Sequence, residues 1–123
     1  MGYEIREKDG YFAVDVRGRT SKYEILQAVR TLDLRDPGKE LPDLWRIGKE
    51  SMLPYKEFRE IAEAIHSLCR PGMKGNRTAI VVTDPLQEAE MEMYRQEASI
   101  LPYEIRVFRS EEEAVEWFRS GGS

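Results

Sequence analysis

Ser51 lies in the stretch GKESMLPYKEF (48–58), with Lys49 and Lys56 close by in sequence. A phosphate on that hydroxyl would meet the positive end of a helix dipole and two ammonium groups, the ingredients of a phosphorylated switch. A serine ahead of a helix more often caps it, its hydroxyl satisfying a free backbone N–H, and the cap is the stronger reading of Ser51. His66 and Cys69 are the chain's single histidine and single cysteine. Three residues apart on one helical pattern, they could offer two metal ligands, and a zinc set would then need carboxylates to complete it. Cys69 belongs to an apolar stripe and His66 to its flank, so a buried thiol beside a boundary imidazole is the better expectation. PGMKGN (71–76) and GRTSK (18–22) look faintly like phosphate-binding loops, but neither has Walker A spacing, and both are expected to be turns. Without an ordered nucleophile–base pair, no catalytic residue, metal site or cofactor is expected.

The segment after Asp84-Pro85 is less bland. Leu86, Ala89 and Met93 form one stripe at helical spacing, and Met91, Tyr94 and Ala98 a second, with Glu90 and Glu97 between them. Either one stripe faces the sheet and the other stays near solvent, or both join a broad buried face. A flexible Met beside an amphipathic Tyr suits an adaptable interface. Met91, Tyr94 and Ala98, with Met52 and Leu53 at the nearby corner, are therefore the candidate surface for a partner or ligand. The acidic runs EAEMEMYRQE (88–97) and EEEAVEWF (111–118) read as solvated helix faces.

These residues need elements to position them. Residues 3–7 and 11–17 read as strands joined at Asp9-Gly10, which supplies the positive φ angles of a tight hairpin turn. Ser21 and Glu24 have capping-box spacing ahead of Ile25, Leu26, Val29 and Leu32. RDPGKELP (35–42) is a loop, and DLWRIG then reads as a strand with Trp45 and Ile47 on one face and Leu44 and Arg46 on the other. Pro54 suits the first turn of a second helix, whose apolar stripe is Tyr55, Phe58, Ile61, Ala62, Ile65, Leu68 and Cys69. TAIVVT (78–83) reads as a central strand covered on both sides. Asp84-Pro85 with Gln87 opens a third helix. YEIRVF (103–108) is a strand, and Ser110 with Glu113 caps a last helix that carries Ala114, Val115, Trp117 and Phe118 inward. The order ββαβαβαβα predicts an α/β fold: one mixed sheet of about five strands, an antiparallel amino-terminal hairpin followed by parallel strands, with about four helices.

Composition agrees with a single domain over 1–119 and a frayed tail at 120–123. The chain has 123 residues, of which 41% are apolar and 34% charged, enough for one core. The net charge of −4 argues against a general nucleic-acid-binding surface. A single cysteine rules out an internal disulfide and suits a reducing cytoplasm. No apolar run approaches the roughly 18 residues of a membrane span. The start, MGYEIREKDG, lacks a signal-peptide core, and Arg6 stands where a myristoylation signal wants Ser or Thr. A cytoplasmic location is the expectation.

The element order, RTAIVVTDP followed by a helix with MEMY, and then IRVFRSEEEAVEWF together resemble the STAS-like superfamily. The branch is that of bacterial proteins similar to sporulation anti-sigma-factor antagonists and to CRAL-TRIO lipid-binding domains. The resemblance covers nearly the whole chain and is strongest from Thr78 to Phe118. It implies a sheet with helices, no catalytic residues, and a regulatory role through a protein partner or self-association as a homodimer; the alternative is a carrier or sensor of a small apolar ligand or lipid. Antagonists of that kind carry a phosphorylatable Ser or Thr followed by a small pair, whereas Ser51 is followed by Met52, Leu53 and Pro54, a departure that weighs against a switch.

Overall fold

The computed structural model describes residues 2–69 and 76–120. The chain runs β1 (Tyr3–Lys8), β2 (Tyr11–Val16), α1 (Lys22–Arg35), β3 (Asp43–Ile47), α2 (Phe58–Leu68), β4 (Thr78–Val81), α3 (Pro85–Glu97), β5 (Ile105–Phe108) and α4 (Glu111–Arg119). Short 3-10 turns occupy Lys49–Ser51, Tyr55–Glu57 and Ala98–Ile100. The strands form one five-stranded sheet in the order β1-β2-β3-β4-β5. The β1–β2 pair is antiparallel and every later pair parallel, so this is the mixed α/β sheet that the sequence predicts.

Local chemistry explains the element starts. The Ser21 hydroxyl accepts from Glu24 N, and the Glu24 carboxylate accepts from Ser21 N, a complete capping box for α1. Asp84 accepts from Gln87 N at the start of α3, with Pro85 in the first turn where its missing N–H is harmless. Ser110 does the same for α4 through Glu113 N. In the hairpin only Gly10 has a positive φ, 85°. Asp9 does not, so the turn needs a single left-handed residue rather than the expected two.

Strand order decides where the helices go. Each crossover moves one strand along the sheet in the same direction, and right-handed crossovers then place α1, α2 and α3 on one face. The final helix, α4, has the opposite face to itself. Alternate residues of each strand feed the two sides. Val14, Trp45, Ile80 and Ile105 point toward the three helices, whereas Ala13, Leu44, Ala79 and Val81 meet Ala114 and Trp117 of α4. Phe58, Ile61 and Ile65 of α2 are almost fully buried, each contributing roughly 1.5–3 kcal/mol of apolar burial. Ile61→Ala would break that packing most simply.

Three expectations need correction. Tyr55 is 64% exposed and precedes α2 in a 3-10 turn, because Pro54 opens that turn rather than the helix itself. Ser51 is not a helix cap; it ends the 3-10 turn before α2. Cys69 is only half-buried at the end of α2 and donates weakly to the Ile65 carbonyl, with His66 exposed beside it. PGMKGN apart from Asn76, and the tail apart from Ser120, lie outside the described residues. Among the described residues no helix is long and apolar enough to cross a membrane.

Candidate ligand cavity

Between the sheet and its three-helix face lies an apolar cavity of about 140 Å³. Its floor is Phe12, Trp45, Ile47, Ile80 and Ile105, and its walls are Ile25 and Val29 of α1, Ile61 and Ile65 of α2, and Met91 and Tyr94 of α3. These positions follow from the helical and strand periods already read in the sequence. Met52 and Leu53 line the end nearest the β3–α2 corner.

The opposite end, where β3, β4 and β5 begin, is polar. Lys39 sits there at φ 47°, the one non-glycine residue among those described with a positive φ. That conformation is uncommon for a residue with a side chain, and here it follows the Pro37-Gly38 turn. The Lys39 ammonium lies 3.0 Å from Asp43 Oδ1, both side chains being mostly buried. The approach is poorly aligned, so the buried Nζ makes no proper hydrogen bond. Asp43 Oδ1 also accepts from the Thr78 hydroxyl at 2.5 Å. Lys39 Nζ stands 4.7 Å from the centre of the Tyr103 ring, within cation–π range.

Two phenols complete this end. Burial, then the charge of Asp43, pushes the Tyr94 hydroxyl well above its ordinary value. The same causes, with smaller contributions from Tyr94 and Cys69, act on Tyr103. Both stay protonated at neutral pH. No hydrogen bond joins either phenol oxygen to another described residue. The ring of Tyr94 is held edge-on to Phe58 at 5.7 Å, which fixes the direction of its hydroxyl. Asp36 completes the rim, with both carboxylate oxygens accepting from the backbone N–H groups of Glu40 and Leu41.

Burial separates the two arrangements that the sequence left open for α3. Met91 and Ala98 are 5% and 1% exposed and Tyr94 is half-buried, so this stripe faces the core and not a partner. The stripe left outward is Leu86, Ala89 and Met93, with Leu86 71% exposed. Of the five candidates, Met52, Leu53, Met91 and Tyr94 meet at the cavity; Ala98 packs beside it.

Ser51, the weaker candidate as a phosphosite, lies buried at this corner. The residue is 2% exposed, and its hydroxyl donates to the Gly18 carbonyl at 2.6 Å, tying the loop after β2 to the corner after β3. Its presumed cationic neighbour Lys49 is paired with Asp84 at 3.0 Å. Gln87, also buried, braces the same end by accepting from Thr83 and donating to the Ile47 carbonyl. Among the described residues no three His, Cys, Asp or Glu side chains gather as a metal site.

Lys39, Asp43 and Tyr103 were not singled out in the sequence. They come from a loop, a strand start and a pre-strand segment, and no spacing rule links them. The only local hint is a lysine directly after Pro-Gly, in a loop otherwise rich in chain-terminating residues.

No family model, no curated protein and no solved structure matches the chain. The cavity's own chemistry is therefore what bears on function.

Proposed function

We propose that the chain is a non-catalytic binding module that holds a small, mostly apolar molecule between the sheet and α1–α3. The observation that carries this reading is the cavity of about 140 Å³ with apolar walls and one polar end. Sites for small molecules generally combine apolar lining with a few convergent polar groups. An apolar void of similar volume in another protein accommodates benzene, so the fitting ligand is of single-ring size rather than a long-chain lipid. The resemblance to the STAS-like superfamily, which implies binding and not catalysis, supports the same class of role. Association through Met91, Tyr94 and Ala98 loses its basis, because those side chains are turned inward.

Propylbenzene is a suitable probe. Titrated into protein with labelled methyl groups, it should shift the resonances of Val29, Ile65 and Ile80 while leaving those of Val81 and Val115 in place. Val81 and Val115 pack on the α4 side of the sheet. Methyl spectra that stay unchanged up to saturating propylbenzene would remove the proposal.

A further inference from the structure

The sheet ends in two edge strands, and the first of them carries a pattern that complements itself. β1 is the outermost strand and is paired on one side, with β2. Its ladder decides which backbone groups are used. Arg17 N–H donates to the Gly2 carbonyl at 2.7 Å directly across the hairpin. By strand alternation, Gly2, Glu4, Arg6 and Lys8 then turn their N–H and C=O groups toward β2. Those of Tyr3, Ile5 and Glu7 point away from the sheet, and among the described residues none takes them up. Such a row is a template for another strand. The side chains alternate as well. Tyr3 and Ile5 are half-buried beside Val14 and Val16, whereas Glu4 and Arg6 are exposed on the other face.

We propose that β1 pairs antiparallel with β1 of a second copy of this chain, about a two-fold axis at Ile5, so that two sheets become one. Opposed residues of an antiparallel pair share a face, so the axis must pass through a residue and not between two. Centring on Glu4 or Arg6 would set like charges directly opposite, which is unfavourable. Centring on Ile5 sets Glu4 of each copy opposite Arg6 of the other. Tyr3, Ile5 and Glu7 then meet Glu7, Ile5 and Tyr3 of the second copy, and their outward N–H and C=O groups bond to one another. Glu4 and Arg6 fall at the non-hydrogen-bonded positions, where side chains approach most closely. Within one chain these two groups already pair at 3.1 Å, and the second copy extends the pair into a row of alternating charge. The backbone bonds and the Ile5 contact supply the attraction, while the exposed charges set the register. The other edge, β5, offers four residues rather than six.

Sedimentation of the full chain over a concentration series tests the pairing. The unaltered chain should show a reversible monomer–dimer equilibrium, weak because an edge-to-edge contact is small. Glu4→Arg or Arg6→Glu alone puts like charges opposite and should weaken dimerisation at least about tenfold. An equal mixture of those two variants should recover it, since one then presents only positive and the other only negative charge at these positions. Ile5→Pro removes the central outward N–H, a change that an edge strand tolerates, and should abolish the dimer. Should that variant fail to fold, the mixed charge variants decide alone, because both positions are exposed. A chain that stays monomeric up to about 1 mM would overturn the pairing. A dimer that survives both single reversals, or a mixture no more associated than its components, would overturn it too.

Discussion

On one face of the sheet, the single helix α4 closes its contact with rings. Tyr11, Phe108, Trp117 and Phe118 meet at centroid distances of 5.6 to 5.8 Å. On the other face, three helices leave about 140 Å³ open. The side with more covering material holds the apolar cavity, whereas the opening on the α4 side lies at its rim, by Asp9, Gly10, Asn76 and Arg119. The contrast shows that this chain can fill a sheet face with few residues. A shortage of apolar side chains therefore does not explain the opening. Its polar end also differs in kind. The α4 face puts its charges at the rim, where Arg46 bridges Asp15 and Glu111 and the Tyr11 hydroxyl donates to Glu111 at 2.9 Å. The cavity face turns Lys39 and Asp43 inward.

The sharpest way to break the contrast is Trp117→Ala. Trp117 is 6% exposed, with Arg77 and Arg106 over its ring, so truncation should cost about 3–5 kcal/mol in denaturant unfolding. Propylbenzene binding to whatever fraction stays folded should be unchanged. A loss below about 1 kcal/mol would mean that the α4 face is as loose as the other.

Paired enlargements come next. Ala114 is fully buried, and Ala114→Leu should destabilise by about 1–3 kcal/mol through overpacking. Val29 faces the cavity, and Val29→Leu should be neutral or stabilising by less than about 1 kcal/mol while weakening propylbenzene. Equal losses at the two positions would show that the cavity wall has no room.

Alkaline unfolding tests both faces through their phenols. Tyr11 is pushed up to about 12 by burial and by Glu111, and Tyr94 and Tyr103 are raised by burial and by Asp43. The folded chain holds these protons more tightly than the unfolded one, so the stability they contribute is complete below the ordinary phenol value of 10. It is lost as pH rises from there through the raised values. Urea midpoints should therefore fall as pH rises above about 10, and Tyr103→Phe should make that fall shallower. A slope unchanged by the substitution would place the Tyr103 oxygen in water rather than in the polar end.

The smallest effect is expected outside both faces. Arg59 bridges Glu63 and Glu97 from a side chain 60% exposed. Arg59→Ala should cost no more than about 1 kcal/mol, less in high salt. A larger loss would give the outer surface of α2 a role that its solvent exposure does not suggest.

How much of this was legible in the sequence depends on whether the signal is local. The caps at Ser21, Asp84 and Ser110 and the alternation of Leu44, Trp45, Arg46 and Ile47 each concern neighbours along the chain, and the structure reproduces them. The two stripes of α3 were also visible, but which of them faces the sheet was not. Leu86 and Met93 are as apolar as Met91 and Tyr94, and only the angle at which α3 lies on the sheet chooses between them. Ser51 misled because a serine before a helix reads as a cap, while its actual partner is the Gly18 carbonyl far back in the chain. The polar end was illegible for the same reason. Lys39, Asp43, Thr78, Tyr94 and Tyr103 become neighbours only once parallel strands stack their starting residues side by side.

The most direct test of the open three-helix face is diffraction from a crystal pressurised with xenon, which enters dry apolar voids and ignores filled ones. The expected result is a xenon peak among Val29, Ile65, Ile80 and Met91 and none beneath α4. Continuous side-chain density through that space, with no xenon bound, would contradict the cavity and with it the ligand-binding role.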